Sequence, residues 1–405
     1  MINLEVPRKL ALLVSQANRS AAEIFRPNSR KYDRNEHTYP VELDMLAALI
    51  DGLNASGSGG AGASGVRGER RQKSTSDGVR NGGSLATVLG TIEMCWGDVG
   101  LLLSMPRQGL GNAAIASVAD DDQLRRFAGK WAAMAITEPD AGSDSAAIRT
   151  TAVRDGDEYV LNGEKIFVTA GERADAVVVW ATLDRDLGRA AIKSFVVEKG
   201  TPGFELVRLE RKLGIRASDT AHFRLDNVRV PVENLLGSPE VTTSGGGFVG
   251  VMQTFDNTRP LVAAMAVGVA RAALEETKQL LADVGVEIDY DRPAGRQSAA
   301  VATFIGLEAD YEAAYLLTLQ AAWMADNAKP NSMQASMAKA KAGRTATDVA
   351  LRCVELAGSL GYSEQSLLEK WARDAKILDI FEGTQQIQQL IVARRLLRKT
   401  SGELK

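Results

Sequence analysis

The residue best placed for proton chemistry is Glu382, within 377–391, which reads I-L-D-I-F-E-G-T-Q-Q-I-Q-Q-L-I. Leu367, Leu368, Trp371, Ala375 and Leu378 recur at helical spacing before it, and Ile387, Leu390, Ile391 and Leu397 after it. Gly383 follows at once. A glycine between two helical patterns marks a break, so Glu382 is expected at an inter-helix junction. Its neighbours Ile380 and Phe381 are apolar, and a carboxylate in apolar surroundings is pushed toward the acidity of a general base. The plain alternative is a helix-terminal carboxylate facing water.

Four other stretches could bind a ligand, each with an ordinary structural reading beside it. In A-I-T-E-P-D-A-G-S-D (135–144), Pro139 and Gly142 fix a tight turn. Thr137, Ser143 and backbone N–H groups could there converge on an anion or a ring heteroatom, or simply join two domains. In Phe167-Val168-Thr169, the ring and the hydroxyl lie on one side of a strand, where a flat ligand could stack, or form a buried β pair. D-N-T-R at 256–259 is expected to open a helix with Pro260. Asp256 and Arg259 share its face, and the arginine could meet phosphate or pair with the aspartate. E-L-A-G-S-L-G at 355–361 has two glycines that admit close backbone approach, or that simply end a helix.

The elements that must position these residues follow a helix–sheet–helix order. Residues 1–132 read as an N-terminal helical domain. Leu10, Leu13, Val14, Ala17 and Ala21 form one face, and Val41, Leu43, Met45, Leu46, Leu49 and Ile50 a second, with Pro40 at the start. Asp120 or Asp121 would cap a helix through Leu124 and Phe127. The Gly/Ser-rich 54–83 reads as a flexible loop. Residues 133–244 read as a small antiparallel sheet or barrel of six to eight strands, with a hairpin turn at Asn162-Gly163. Residues 245–405 read as helices ending in a four-helix bundle. The fold class is therefore multi-domain α+β.

Composition excludes several classes. The 405 residues carry 48 Lys+Arg against 51 Asp+Glu, a net charge of −3, so no global basic field favours nucleic acid. Two Cys, Cys95 and Cys353, and two His, His37 and His222, give no metal-ligand spacing and no disulfide framework. No apolar run reaches the ~18 residues of a membrane span, and no signal peptide opens the sequence. A cytoplasmic protein is expected.

Together, T-E-P-D-A-G-S-D (137–144), K-I-F-V-T-A-G (165–171), F-D-N-T-R-P (255–260) and R-D-A-K-I-L-D-I-F-E-G-T-Q-Q-I-Q (373–388) resemble the acyl-CoA dehydrogenases, over roughly residues 85–400. The resemblance implies an N-terminal helical domain, a middle β-domain and a C-terminal four-helix bundle, with FAD between the last two. It implies α,β-dehydrogenation of an acyl-CoA thioester to the trans-2-enoyl-CoA. Glu382 would take the α-proton, flavin N5 would take the β-hydride, and electrons would pass to an electron-transfer flavoprotein. The other base location known in the family falls at Thr258, which has no carboxylate. The Glu382 backbone N–H and a flavin ribityl hydroxyl would hold the enolate oxygen.

By the same match, Ile136, Thr137 and Ser143 would contact the flavin, and Ser143 would also lie near the CoA phosphates. Phe167, Val168 and Thr169 would line the isoalloxazine. Asp256 and Arg259 would hold the CoA moiety, and Gly383 would line the thioester pocket. Thr384 and Gln386 would reach the FAD pyrophosphate or adenine, helped by the helix N-terminus. A homodimer or homotetramer is implied, in which one subunit reaches its neighbour's FAD.

The chain departs from the pattern in places. Val284 stands where the family often has Arg, followed by the short insertion D-Y-D-R-P-A-G (289–295), from which Arg292, or Arg296 just beyond it, could substitute. Glu355 stands for the family's Gln, and Gly358-Ser359 for its Gly-Gly. These are the positions of the cross-subunit FAD contact. The 54–83 loop is longer than usual. Two other readings share the resemblance: an acyl-CoA oxidase on the same fold, and a flavin-poor partner subunit of a hetero-oligomeric dehydrogenase.

Overall fold

The protein is described by a computed structural model that covers residues 6–55, 66, 68, 82–107, 109–241, 246–400 and 403, with backbone alone for 49–55 and 246–257. Most of the 54–83 loop lies outside the described residues. Within it, Val66 is buried and exchanges backbone hydrogen bonds with Lys130 (2.9 Å) and Gly129 (2.8 Å).

The N-terminal helices are α1 (Arg8–Ser20), a π-helical turn (Ala21–Phe25), α2 (Arg26–Arg34), α3 (Glu42–Ala55), α4 (Gly83–Gly97), α5 (Val99–Leu103), α6 (Leu110–Val118) and α7 (Asp121–Arg126). The expected face of α3 is only half right. Leu43 and Leu46 are buried, but Val41 and Met45 are exposed. A spacing of four puts those two together on the opposite side. Asp120 caps α7 as expected, in a reciprocal box with Gln123. The start of α4 is capped from a distance: the Asp326 carboxylate accepts the N–H groups of Gly82, Ser84 and Leu85 at 3.0, 2.8 and 3.0 Å.

Among the described residues, seven strands follow: β1 (Ala132–Ala135), β2 (Thr151–Asp155), β3 (Glu158–Thr169), β4 (Ala176–Thr182), β5 (Ile192–Glu198), β6 (Phe204–Leu209) and β7 (Thr220–Pro231). The order is β1-β4-β2-β3-β7-β6, with β5 paired to β4 off that path. Pairs are antiparallel except those of β4 with β1 and β2, which are parallel. All of β4 is buried, as its run of valines demands.

Asn162-Gly163 is not the hairpin turn. The β2–β3 turn falls at Gly156-Asp157, where Asp155-Gly156 offers the same chemistry and Gly156 takes φ +64. Asn162-Gly163 instead sits in a register shift of β3 against β7. It faces Asn227, at φ +51, whose N–H donates to Asn162 Oδ1 (2.8 Å). Two turn-like dipeptides thus meet as a bulge.

The closing helices are α8 (Gly246–Asp283), α9 (Ala299–Asp326), α10 (Ser332–Tyr362), α11 (Leu368–Ala375) with a 3-10 turn (Lys376–Asp379), and α12 (Gln385–Leu397). Asp256–Arg259 does not open a helix. Helix α8 starts ten residues before Asp256 and Pro260 lies inside it. Tertiary packing overrides the local cost of an interior proline. Gly268 shows how close that packing is, since a Cβ there would lie 2.4 Å from the Ile92 carbonyl on α4. The first and last helices share one core, with Phe25, Leu89 and Cys95 in the same cluster as Ala263, Cys353 and Trp371. Among the described residues, no helix is long and apolar enough to cross a membrane.

Candidate active site

Glu382 lies in the short connection between the 3-10 turn and α12, with φ +58, and Gly383 follows at φ +93. Two consecutive left-handed residues turn the chain sharply, and for a glutamate that conformation costs about 1–2 kcal/mol. The turn is held from several sides. On α12, Gln388 Nε2 donates to the Glu382 carbonyl (3.0 Å) and the Gly383 carbonyl (3.1 Å). On α10, Lys339 Nζ donates to the Gly383 carbonyl (2.6 Å). Thr384 caps α12 through the Ile387 N–H (3.4 Å). Helix α10 comes close because residue 343 is glycine, where a Cβ would lie 2.6 Å from the Leu378 carbonyl.

The Glu382 side chain does not face open water. Its Oε2 accepts the Thr258 hydroxyl at 2.7 Å. Burial raises its pKa above the ordinary carboxylate value, while the Thr258 hydrogen bond and the charges of Arg259 and Lys339 oppose that rise. The outcome is a carboxyl held above its ordinary pKa in a positive field, an arrangement suited to a general base. Thr258, which sequence reasoning set aside for lack of a carboxylate, is thus a direct partner of Glu382. Arg259 is buried and its charge acts on Glu382. The Asp256 side chain lies outside the described residues.

The second site is built on Glu138. Its Oε1 accepts Lys165 Nζ (2.8 Å), the Thr150 N–H (2.9 Å) and the Thr150 hydroxyl (2.5 Å), and its Oε2 accepts the Arg149 N–H (2.6 Å). Lys165 also reaches the Ile136 carbonyl (3.0 Å), and the Ile166 N–H donates to the Thr137 carbonyl (2.9 Å). The stretch 136–143 is therefore joined to 165–169, two segments that the sequence separates. Ile136 and Val168 are buried in the cores on either side of the sheet and offer only backbone outward. Phe167, in the register shift of β3 against β7 between Lys165 and Val168, takes φ +57 and is 59% exposed, beside half-buried Thr169. Ser143 is exposed, and a Cβ on Gly142 would meet nothing within 4 Å. An exposed aromatic ring on a strand tied to the 136–143 turn through Lys165 and Ile166 suits stacking by a flat ring.

Glu355, Gly358 and Ser359 are not brought to Glu382 within one chain. They lie 16 residues or more beyond Lys339 on α10, about 24 Å along it. All three are exposed, Glu355 pairs with Arg352 (2.5 Å), and Gly358 breaks the helix at φ 59, ψ −131. Val284, at the end of α8, is 71% exposed. Gln386 is exposed at the start of α12. Lys339, Gln388, Glu138 and Lys165 escaped sequence reasoning. Lys339 alone carried a visible signal, as a charge on the alanine face of Ala335, Ala338 and Ala342. Among the described residues no group of acidic, His and Cys side chains could hold a metal ion.

Comparison with known proteins gives the same picture. The family model described as acyl-CoA dehydrogenase, middle domain, matches residues 133–228, and that of the acyl-CoA dehydrogenase C-terminal domain matches 245–397. Cyclohex-1-ene-1-carbonyl-CoA dehydrogenase of Geobacter metallireducens is 40% identical over 278 residues, 68% of this chain and 71% of that protein. The structure of butyryl-CoA dehydrogenase from Megasphaera elsdenii superposes with a TM-score of 0.80 at 28% identity, covering 98% of this chain and 100% of the other. A chain in the structure described as the electron transferring flavoprotein of Acidaminococcus fermentans gives 0.79 at 29% identity, with coverage of 98% and 100%. The chain belongs to the acyl-CoA dehydrogenase family of oxidoreductases.

Proposed function

We propose that this enzyme removes a proton from the α-carbon and a hydride from the β-carbon of an acyl-CoA thioester, with Glu382 as the base. The observation that carries this reading is the Glu382 carboxyl itself: desolvated, hydrogen-bonded to Thr258, and set on a sharp turn between two helices. As the α-proton leaves, charge develops on the thioester oxygen, and a donor placed in advance stabilises it. The Glu382 backbone N–H, presented by the left-handed turn, is the candidate donor. Gly383 keeps the turn free of a side chain where the thioester would approach. Arg259 and Asp256 are the candidates for holding the CoA moiety.

The residues present fit FAD. The exposed Phe167 face, Thr169 and the backbone of 136–143 would take the ring system, and Thr384 and Gln386, at the α12 N-terminus, would meet its pyrophosphate or adenine end. FAD, when bound, supplies the acceptor for the hydride. The exposed Glu355, Gly358 and Ser359 would reach that cofactor only from a second copy of the chain, which supports a homodimer or homotetramer. An electron-transfer flavoprotein is the proposed acceptor of the electrons. A cytoplasmic setting agrees with two free, buried cysteines.

The test is spectroscopic. Purified protein should carry a flavin spectrum that bleaches when straight, branched or cyclic acyl-CoAs are added without air. Reoxidation should be faster with an electron-transfer flavoprotein than with oxygen. Glu382→Gln should bind flavin and acyl-CoA without bleaching. A protein that holds no flavin, or a Glu382→Gln variant that bleaches at the native rate, removes this function.

A further inference from the structure

Lys339 is one of the largest fully buried side chains in the protein. It stands on the alanine face of α10, where a methionine or leucine would fill the slot without the cost of burying a charge. Its ammonium is therefore not explained by packing. It points at one feature, the Glu382–Gly383 turn, and donates to the Gly383 carbonyl at 2.6 Å. The charged groups facing it come from three elements: Asp379 from the 3-10 turn, Glu382 from the turn itself, and Arg259 from α8.

We propose that Lys339 is a positioning residue for Glu382: from α10 it pins the left-handed turn by its carbonyl and places a positive charge behind the carboxylate. The proposal rests on the reading of Glu382 as the base. The pin matters because Glu382, at φ +58, would relax toward a right-handed conformation if released, and its carboxylate would swing away from Thr258. The charge matters because burial drives the carboxyl toward its neutral form, and a neutral carboxyl cannot accept the α-proton. Burial lowers the pKa of Lys339 itself to about 8, with Asp379 and Glu382 working against that fall, so Lys339 carries its charge at neutral pH. Gln388 supports the same carbonyl from α12 but brings no charge.

The experiment compares Lys339→Met with the native holoenzyme across pH. Loss of the ammonium should raise the pKa of Glu382, so the acid limb of kcat/KM moves up by about one pH unit, with kcat reduced more than KM is raised. A second readout does not depend on turnover. The Glu382 carboxyl stretch, identified by infrared difference against Glu382→Gln, should titrate at higher pH in Lys339→Met by the same amount. Lys339→Gln, neutral and still a donor, should show the shifted limb with a smaller loss of kcat, and it serves where the methionine variant does not fold. An unchanged acid limb and carboxyl titration in the neutral variants, with only thermal stability altered, would leave Lys339 structural and overturn the proposal. Full activity in Glu382→Gln would instead overturn the reading of the base, so the two failures are told apart.

Discussion

The Thr258 hydroxyl donates to Glu382 Oε2 at 2.7 Å, across 124 residues of sequence. It joins the middle of α8 to the turn before α12, and it sets the orientation of the carboxyl that the proposed chemistry needs. A hydrogen bond to a charged group contributes about 1.5–3 kcal/mol.

Thr258→Val should therefore cost about ten- to a hundredfold in kcat/KM. It should also move the acid limb upward, because the bond favours the ionised form of Glu382. Thr258→Ser should restore most of both. Steady-state kinetics over pH on the three proteins checks this, and a valine variant with native kcat/KM would mean that the bond does not serve catalysis.

Glu382 also bears a stability cost. Its left-handed backbone is a conformation that glycine adopts freely, and its carboxyl is desolvated. Glu382→Gly should be inactive yet more stable than the native protein by about 1 kcal/mol. Glu382→Gln should gain less, because it keeps the strained backbone. Denaturant unfolding of the flavin-loaded proteins measures the order. A glycine variant less stable than the glutamine variant would show that the turn carries no strain.

The sequence already disclosed the helix–sheet–helix order and the Glu382-Gly383 break, because hydrophobic period and glycine placement are local signals. It failed where a long-range partner decides. Asn162-Gly163 has the chemistry of a turn, but Asn227 on β7 takes its side chain and converts it to a bulge. Pro260 looks like a helix start, but α8 is long enough, and packed closely enough against α4, to carry it inside. Thr258 and Lys339 belong to the Glu382 site only because α8 and α10 cross behind the same turn, and spacing along either helix does not say so.

The three segments of the chain meet at Lys370. Its ammonium sits between Asp98 (2.7 Å), at the start of α5, and Asp374 (2.5 Å), which also accepts the Ile215 N–H (2.5 Å) from the β-domain. All three side chains are buried. The Ser29 hydroxyl completes the set on Asp98. Lys370→Met leaves two buried carboxylates without their cation and should lower stability by about 3–5 kcal/mol. Thermal unfolding should show the loss, along with earlier release of flavin. A native melting temperature in this variant would mean that the carboxylates take up protons at little cost.

Glu138 and Lys165 make a different pair, because their environments push both pKa values down. For Glu138, burial opposes ionisation, but the Lys165 charge and hydrogen bond, with those from Thr150 and Arg149, outweigh it. For Lys165, burial dominates and brings the pKa to about 8, although Glu138 works against it. The depressed Glu138 contributes stability that is present above the unfolded glutamate pKa of about 4.3 and is lost as pH falls through the folded value. Glu138→Gln removes that contribution and leaves a buried ammonium, so the variant's Lys165 should shed its proton below pH 8. Between that lower value and 8, the folded variant binds fewer protons than its unfolded chain, while the native protein binds as many. The variant's stability therefore rises with pH over that interval and the native's does not. The deficit of Glu138→Gln should be deepest from about pH 5 upward, narrow toward pH 8, and stay constant above it. Denaturant midpoints at several pH values give the curve. A deficit independent of pH would show that Lys165 does not titrate in the variant. The same variant should bind flavin less tightly, because Lys165 and Glu138 together tie the turn at 136–143 to the strand that carries Phe167.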